Sequence, residues 1–146
     1  VMVEQGEGHI INVGSLASLA PVPGLSLYTA SKFAVRGFSL AAAQELRPLG
    51  VFVSAVLPDA VATPMLDLQV DYEEAAMTFS GTRPLSLAEV EAVILEKVLT
   101  QRPLEVALPA HRGGLARLAN LIPQVSMVIA PLLRKIGLRK QCDLKD

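Results

Sequence analysis

Residues 8–35 read GHIINVGSLASLAPVPGLSLYTASKFAV, and the fold turns on how that stretch divides. His9 to Ser15 is a short β-branched run ending in Gly-Ser, which predicts a fully buried strand, with Glu7 and Gly8 turning into it. Pro21, Pro23 and Gly24 punctuate Ser15 to Ser26, which predicts a loop. Leu27 to Leu46 has helical spacing, with Phe33, Gly37, Leu40 and Ala41 along one face, and RPLG (Arg47 to Gly50) stops it. VFVSAVLP, Val51 to Pro58, predicts a second buried strand, and DAVATPM leaves it as a loop.

Downstream the signals weaken. Met65 to Arg83 is irregular and acidic, with Asp67, Asp71, Glu73 and Glu74, and predicts a mobile loop with one or two short helices. Ser86-Leu87-Ala88-Glu89 is a capping box. It opens a helix expected to reach Gln101, with Val90, Val93, Ile94 and Val98 as its apolar stripe. LEVALP, Leu104 to Pro109, is a third strand candidate. Leu115 to Arg139 is apolar and basic, expected to be helical in parts and broken near Pro123 and Pro131.

Strand, helix, strand, helix, strand argues for an α/β fold: a doubly wound parallel sheet covered on both faces. Residues 1–110 form one expected unit and 111–146 an apolar, basic helical tail. Half of the chain is hydrophobic (51%), enough for a core, and the net charge of −1 argues against a nucleic-acid partner. The single cysteine, Cys142, excludes an intrachain disulfide and a cysteine metal cluster, so a cytoplasmic, reducing setting is expected. No metal site is expected, because no His/Glu spacing suits zinc.

In an open parallel sheet, ligands bind beyond the carboxyl ends of the strands. Ser15 lies at the end of the first strand, Asp59 to Thr63 at the end of the second, and Tyr28 opens the helix reached from the first. Tyr28 and Lys32, four residues apart, share a helix face. An ammonium that close favours the phenolate form of a tyrosine, and a tuned phenol can give or take a proton. Ser15 can donate to a carbonyl oxygen. The three suit proton transfer at a carbonyl or alcohol centre, and a redox reaction would need a hydride-carrying cofactor. Each residue has a plainer reading: a Tyr-x-x-x-Lys pair is common on helix surfaces, and a serine at a strand end is usually a turn or cap residue. A Ser15–His111–Asp59 hydrolase is a weaker alternative, because the G-x-S-x-G elbow is absent.

Taken together, GHIINVGS, YTASKFAV with its Y-x-x-x-K spacing thirteen residues after Ser15, and LPDAVATPM resemble the classical short-chain dehydrogenase/reductase family over Gly8 to Met65. The resemblance implies that Tyr28 is the general acid/base. It implies that Lys32 tunes Tyr28 and bonds the nicotinamide ribose of NAD or NADP, and that Ser15 orients the substrate oxygen. Pro58, Val61 and Thr63 would frame the nicotinamide. It also implies a homodimer or homotetramer, often through the long helix, where Gly37 and Ala41 to Ala43 are small enough for close approach. Asp59 departs from the pattern, standing where the family usually has glycine, so it alters that turn or adds negative charge near the cofactor. The glycine-rich dinucleotide turn and the family's catalytic asparagine are expected upstream of Val1. The sequence therefore resembles the C-terminal half of such an enzyme, with an apolar strand edge left open and little activity of its own.

Met65, Leu66, Leu68, Met77 and Phe79 in the irregular segment favour a hydrophobic alcohol or carbonyl substrate. The tail has two readings: a surface-lying membrane helix giving peripheral membrane contact, or, preferred, a helix over the cleft or against a second subunit. A truncated, non-catalytic chain serving as an interaction or dimerisation module is the alternative to an enzyme.

Overall fold

The computed structural model describes residues 1–145. A short helix α1 (Met2–Gln5) ends at Gly6 and leads into β1 (Gly8–Val13). A 3-10 turn (Leu16–Ser18) precedes the long α2 (Ser26–Leu46), and β2 (Val51–Pro58) follows. Next come α3 (Pro64–Gln69) and a 3-10 segment (Glu73–Ser80). α4 (Leu87–Val93) passes through a π turn (Ile94–Val98) into α5 (Leu99–Gln101) without a break. β3 (Glu105–Leu108), α6 (Ala110–Leu121) and α7 (Pro123–Asp143) complete the chain.

The sheet is parallel with order β1-β2-β3, and Asn12 pairs with Ala55 while Leu57 pairs with Ala107. β2 is central. Val51, Val53, Ala55, Val56 and Leu57 are all buried, and each large one contributes about 1.5–3 kcal/mol relative to exposure. Because side chains alternate, the two faces of β2 feed two cores. Val56 joins Val98, Val106 and Leu108 under the α4–α5 stripe of Val90, Val93 and Ile94. Ala55 and Leu57 join Leu16 and Leu19 on the opposite face. On that second face Arg36 of α2 makes a bidentate bond to Glu105 of β3, and Asn12 Nδ2 donates to the buried Ser39 Oγ at 3.0 Å. Asn12 is thus a strut between β1 and α2.

Several expectations change. β1 is half-buried rather than fully buried, and Val13 is exposed, because β1 lies at the sheet edge. The inward face of α2 carries Ser39 and Ala43, while Gly37 and Ala41 face outward. The expected stripe through Phe33, Gly37, Leu40 and Ala41 is therefore wrong at two of its positions. The tail helix begins at Ala110, earlier than expected, and Pro131 sits inside α7 without ending it. Pro123 stands at the start of α7, where its missing N–H is not needed. Gly50 stops α2 and its 3-10 extension at φ 78°, and a side chain there would strike the Gly6 carbonyl.

Candidate active site

Ser15, Tyr28, Lys32, Pro58, Val61 and Thr63 all line one cleft of about 670 Å³ at the carboxyl edge of the sheet. Parallel pairing puts the ends of β1 and β2 level, Val13 beside Val56, so both strands release their next residues at one edge. Ser15 is the extended N-cap of the 3-10 turn. Its Oγ accepts from Ala17 N at 3.1 Å, and its own N–H donates to Ser18 Oγ at 3.3 Å. Because that hydroxyl is accepting, its proton remains free to be donated into the cleft. Gly14 before it is buried, and a side chain there would meet Leu57 Cδ2 at 2.7 Å. The strand end can therefore pass this close to β2 only without one.

Tyr28 and Lys32 are half-buried one turn apart near the start of α2, with Lys32 Nζ 5.4 Å from the centre of the Tyr28 ring. No ion pair or hydrogen bond engages Lys32 among the described residues. A half-buried ammonium without a carboxylate, lining a cleft, is set up to receive hydroxyl or other oxygen ligands. The backbone from Val61 to Thr63 forms the opposite rim. Val61 bridges to Leu85, and Thr63 Oγ1 donates to Val61 O at 3.3 Å.

Asp59 does not stand free beside this site. Arg112 Nε lies 2.9 Å from its carboxylate and Arg112 Nη2 is 3.1 Å from Ser80 Oγ. Burial pushes the Asp59 carboxyl above its ordinary value, and outweighs the opposing pull of Arg112, the Ala60 N–H and His111. His111 lines the cleft, but among the described residues no hydrogen bond joins it to Ser15, and the Asp59 carboxylate pairs with Arg112. His9 sits at the other end of β1. Ser54 Oγ donates to the Pro103 carbonyl, so His9 Nε2, at 2.8 Å, donates to Ser54, and burial followed by Arg102 lowers the His9 pKa.

The apolar wall comes partly from the irregular segment and partly from the tail, which the preferred reading laid over the cleft without naming its residues. Met65, Leu66 and Met77 line the cleft, but Leu68 is exposed and Phe79 packs in the core. Leu115, Leu118, Ile129 and Leu133 take their place, projecting from α6 and α7. The long uncharged run of the tail was the available signal, but sequence alone does not say that α7 folds back onto Glu73–Ser80.

A profile of the short chain dehydrogenase family matches residues 1–74. The chain belongs to that family. Among curated relatives, a 3-alpha-(or 20-beta)-hydroxysteroid dehydrogenase of Mycobacterium bovis is 47% identical over 66 residues, covering 45% of this chain and 25% of the relative. A cyclopentanol dehydrogenase of a Comamonas species is 37% identical over 93 residues, covering 64% of this chain and 37% of the relative. Among solved structures, a short-chain dehydrogenase of Burkholderia cenocepacia in complex with NADP superposes with a TM-score of 0.67 at 24% identity, over 88% of this chain and 49% of that one. The chain thus spans a quarter to a half of the length of these dehydrogenases. The matched profile holds Ser15, Tyr28, Lys32 and Thr63 but ends before the Glu73–Ser80 segment closes and before the tail begins.

Proposed function

We propose that this chain carries the acid/base centre of an NAD- or NADP-dependent oxidoreductase that interconverts an apolar alcohol and its ketone or aldehyde. The observation that supports it is the meeting of Ser15, Tyr28 and Lys32 with Pro58, Val61 and Thr63 around a single, largely apolar cleft. In this reading the Tyr28 hydroxyl gives its proton to the carbonyl oxygen during reduction, and its phenolate takes the alcohol proton during oxidation. The Ser15 proton, left free by the Ala17 contact, holds the same oxygen in place. Lys32, one turn along from Tyr28 and close to its ring, is placed to bond a ribose hydroxyl. A nicotinamide dinucleotide, when bound, supplies or accepts the hydride. Its ribose fits the unengaged Lys32, and Pro58, Val61 and Thr63 would flank its ring.

The substrate class rests on the wall of Leu115, Leu118, Ile129 and Leu133, and two dehydrogenases similar to the chain are named for a hydroxysteroid and for cyclopentanol. The outward face of α2, with Gly37, Phe38 and Ala41, is proposed as a homodimer or homotetramer contact. The test uses a protein that joins this chain to a glycine-rich dinucleotide-binding half. It should consume NADH or NADPH when given cyclic or steroidal ketones, and faster than with short polar ones. No ketone-dependent consumption of either dinucleotide overturns the proposal.

A further inference from the structure

From Leu118 to Leu133 the chain runs sixteen residues without a charged side chain, bracketed by Arg117 and Arg134. The run folds as the end of α6, the turn at Ile122 and the first half of α7. The uncharged residues therefore form the tip where α6 turns into α7, and the charged ones stand to either side of it. Ala130, Gly137 and Gln141 mark the buried side of α7. At 100° per residue the opposite side carries Val128, Leu132, Lys135 and Arg139 in that order. Along one outward face the helix thus changes from apolar to basic.

The apolar part is open. Leu121 is 77%, Met127 76% and Val128 78% exposed. These differ from Leu118, Ile129 and Leu133, whose side chains line the cleft. A contiguous exposed apolar patch rimmed by charge marks an interaction surface. No Asp or Glu occurs from Val106 to Cys142; Glu73 of the facing segment pairs with Arg134, but Lys135 and Arg139 have no acidic partner among the described residues. Two copies meeting with their α7 helices parallel would set these cations against each other, and the unpaired Lys135 and Arg139 beside the patch favour an anionic occupant. Among the described residues no helix is long and apolar enough to cross a membrane, and the tip, roughly 14 Å from Pro123 to Leu132 at the helical rise, suits the 5–10 Å depth of an interfacial helix if it tilts.

We infer that the α6–α7 tip docks on an anionic lipid surface, with Leu121, Met127, Val128 and Leu132 in the headgroup–acyl boundary and Lys135 and Arg139 on the headgroups. The inference stands apart from the reaction proposed for the cleft. The full chain is floated with phosphatidylcholine vesicles with and without phosphatidylserine, at low and raised salt, with circular dichroism as the check of folding. Binding to the phosphatidylserine vesicles, weakened by salt, is expected. Lys135→Gln with Arg139→Gln should weaken it roughly fivefold per charge. Val128→Ser with Leu132→Ser should weaken it about tenfold or more by removing inserted apolar surface. All four side chains lie on the outward face, so the variants should keep the parent spectrum. A folded chain that ignores phosphatidylserine vesicles, or variants that bind like the parent, overturns the inference. So does a chain that forms dimers dissociated by Val128→Ser and fails to float, which would assign the patch to a second copy.

Discussion

Arg112 holds Asp59 at 2.9 Å and thereby ties the end of β2 to the first turn of α6 at the rim of the cleft. The same guanidinium reaches Ser80 Oγ, and Lys140 of α7 donates to the neighbouring Gly81 carbonyl. Four segments distant in sequence thus converge where Asp59 replaces the expected glycine. That aspartate adds no free negative charge to the cleft. It anchors the tail that supplies the apolar wall.

Removing only the cation should be the costly change. Arg112→Met leaves a largely buried carboxylate without its partner, and an expected loss of about 2–3 kcal/mol lies below the figure for complete burial because both side chains keep some solvent contact. Asp59→Asn with Arg112→Met should recover most of it. Urea unfolding of the single and double variants measures both. A double variant no more stable than Arg112→Met alone would show that the guanidinium acts through packing rather than charge.

Asp59 should also leave a signature in the pH dependence of stability. Its carboxyl is held above the ordinary 3.8 by burial, so the folded protein binds this proton more tightly than the unfolded chain. Its contribution is therefore fully present below the unfolded value and declines as pH rises through the folded one. Asp59→Asn removes that decline. The difference in unfolding free energy between parent and variant should change across the interval just above pH 3.8 and stay level elsewhere. A flat difference throughout would mean that Arg112 cancels the cost of burial.

At Gly137 the backbone of α7 runs close against the Glu73–Ser80 segment. A methyl group there would strike the Ala76 carbonyl, and Ala76 is fully buried in the Glu73–Ser80 segment. Gly137→Ala should cost about 1–3 kcal/mol, as overpacking does, and should loosen the tail first. Hydrogen exchange is expected to quicken in α7 while β2 stays protected. Equal quickening in both would indicate that the tail and the sheet open as one unit.

The parts of the fold that could be read were those with local signals. β2 was legible to the residue, because eight apolar or small residues, Val51 to Pro58, lie between Gly50 and Asp59. The Ser86–Glu89 box was legible because its reciprocal bonds are local, and Arg83 with the Ser86 N–H holds the Glu89 carboxyl down to about 2. What escaped depends on distant contacts. β1 reads as buried, yet an edge position leaves it half-covered. The inward face of α2 is set by Asn12 and Glu105, which bond Ser39 and Arg36, polar residues that an apolar stripe cannot reveal. The proposed site residues sit at strand ends and on one helix turn, where topology alone brings them to one edge. The Asp59–Arg112 contact spans 53 positions and carries no periodic trace.

The outward face of α2 offers a direct test of association. Phe38 is 68% exposed beside Gly37 and Ala41, and small residues around an aromatic allow two helices to approach closely. Phe38→Glu should convert a dimer or tetramer to monomer in sedimentation velocity at unchanged fold, because a desolvated, unpaired carboxylate is costly at such a contact. An unchanged sedimentation coefficient in an associating parent would move the contact to another surface.

Tyr28 and Lys32 can be separated by their different expected roles. Tyr28→Phe removes one hydroxyl from a half-buried ring and leaves the ring near Lys32, so folding and dinucleotide affinity should be nearly unchanged. Turnover, measured in a protein that joins this chain to a glycine-rich dinucleotide-binding half, should fall by roughly 10²–10⁴, the range for an acid/base group. Lys32→Ala should lower turnover and also weaken dinucleotide binding, because the proposed reading has one ammonium serve both the phenol and the ribose. Lys32→Arg keeps the charge but changes its geometry, so it should restore more of the proton-transfer effect than of the ribose contact. Ser15→Ala should raise KM and lower kcat without touching dinucleotide affinity, since the role proposed for its hydroxyl is to hold the substrate oxygen and not the cofactor. Near-normal turnover in Tyr28→Phe would remove it as the acid/base. Unchanged dinucleotide affinity in Lys32→Ala would leave Lys32 a single role, beside the phenol.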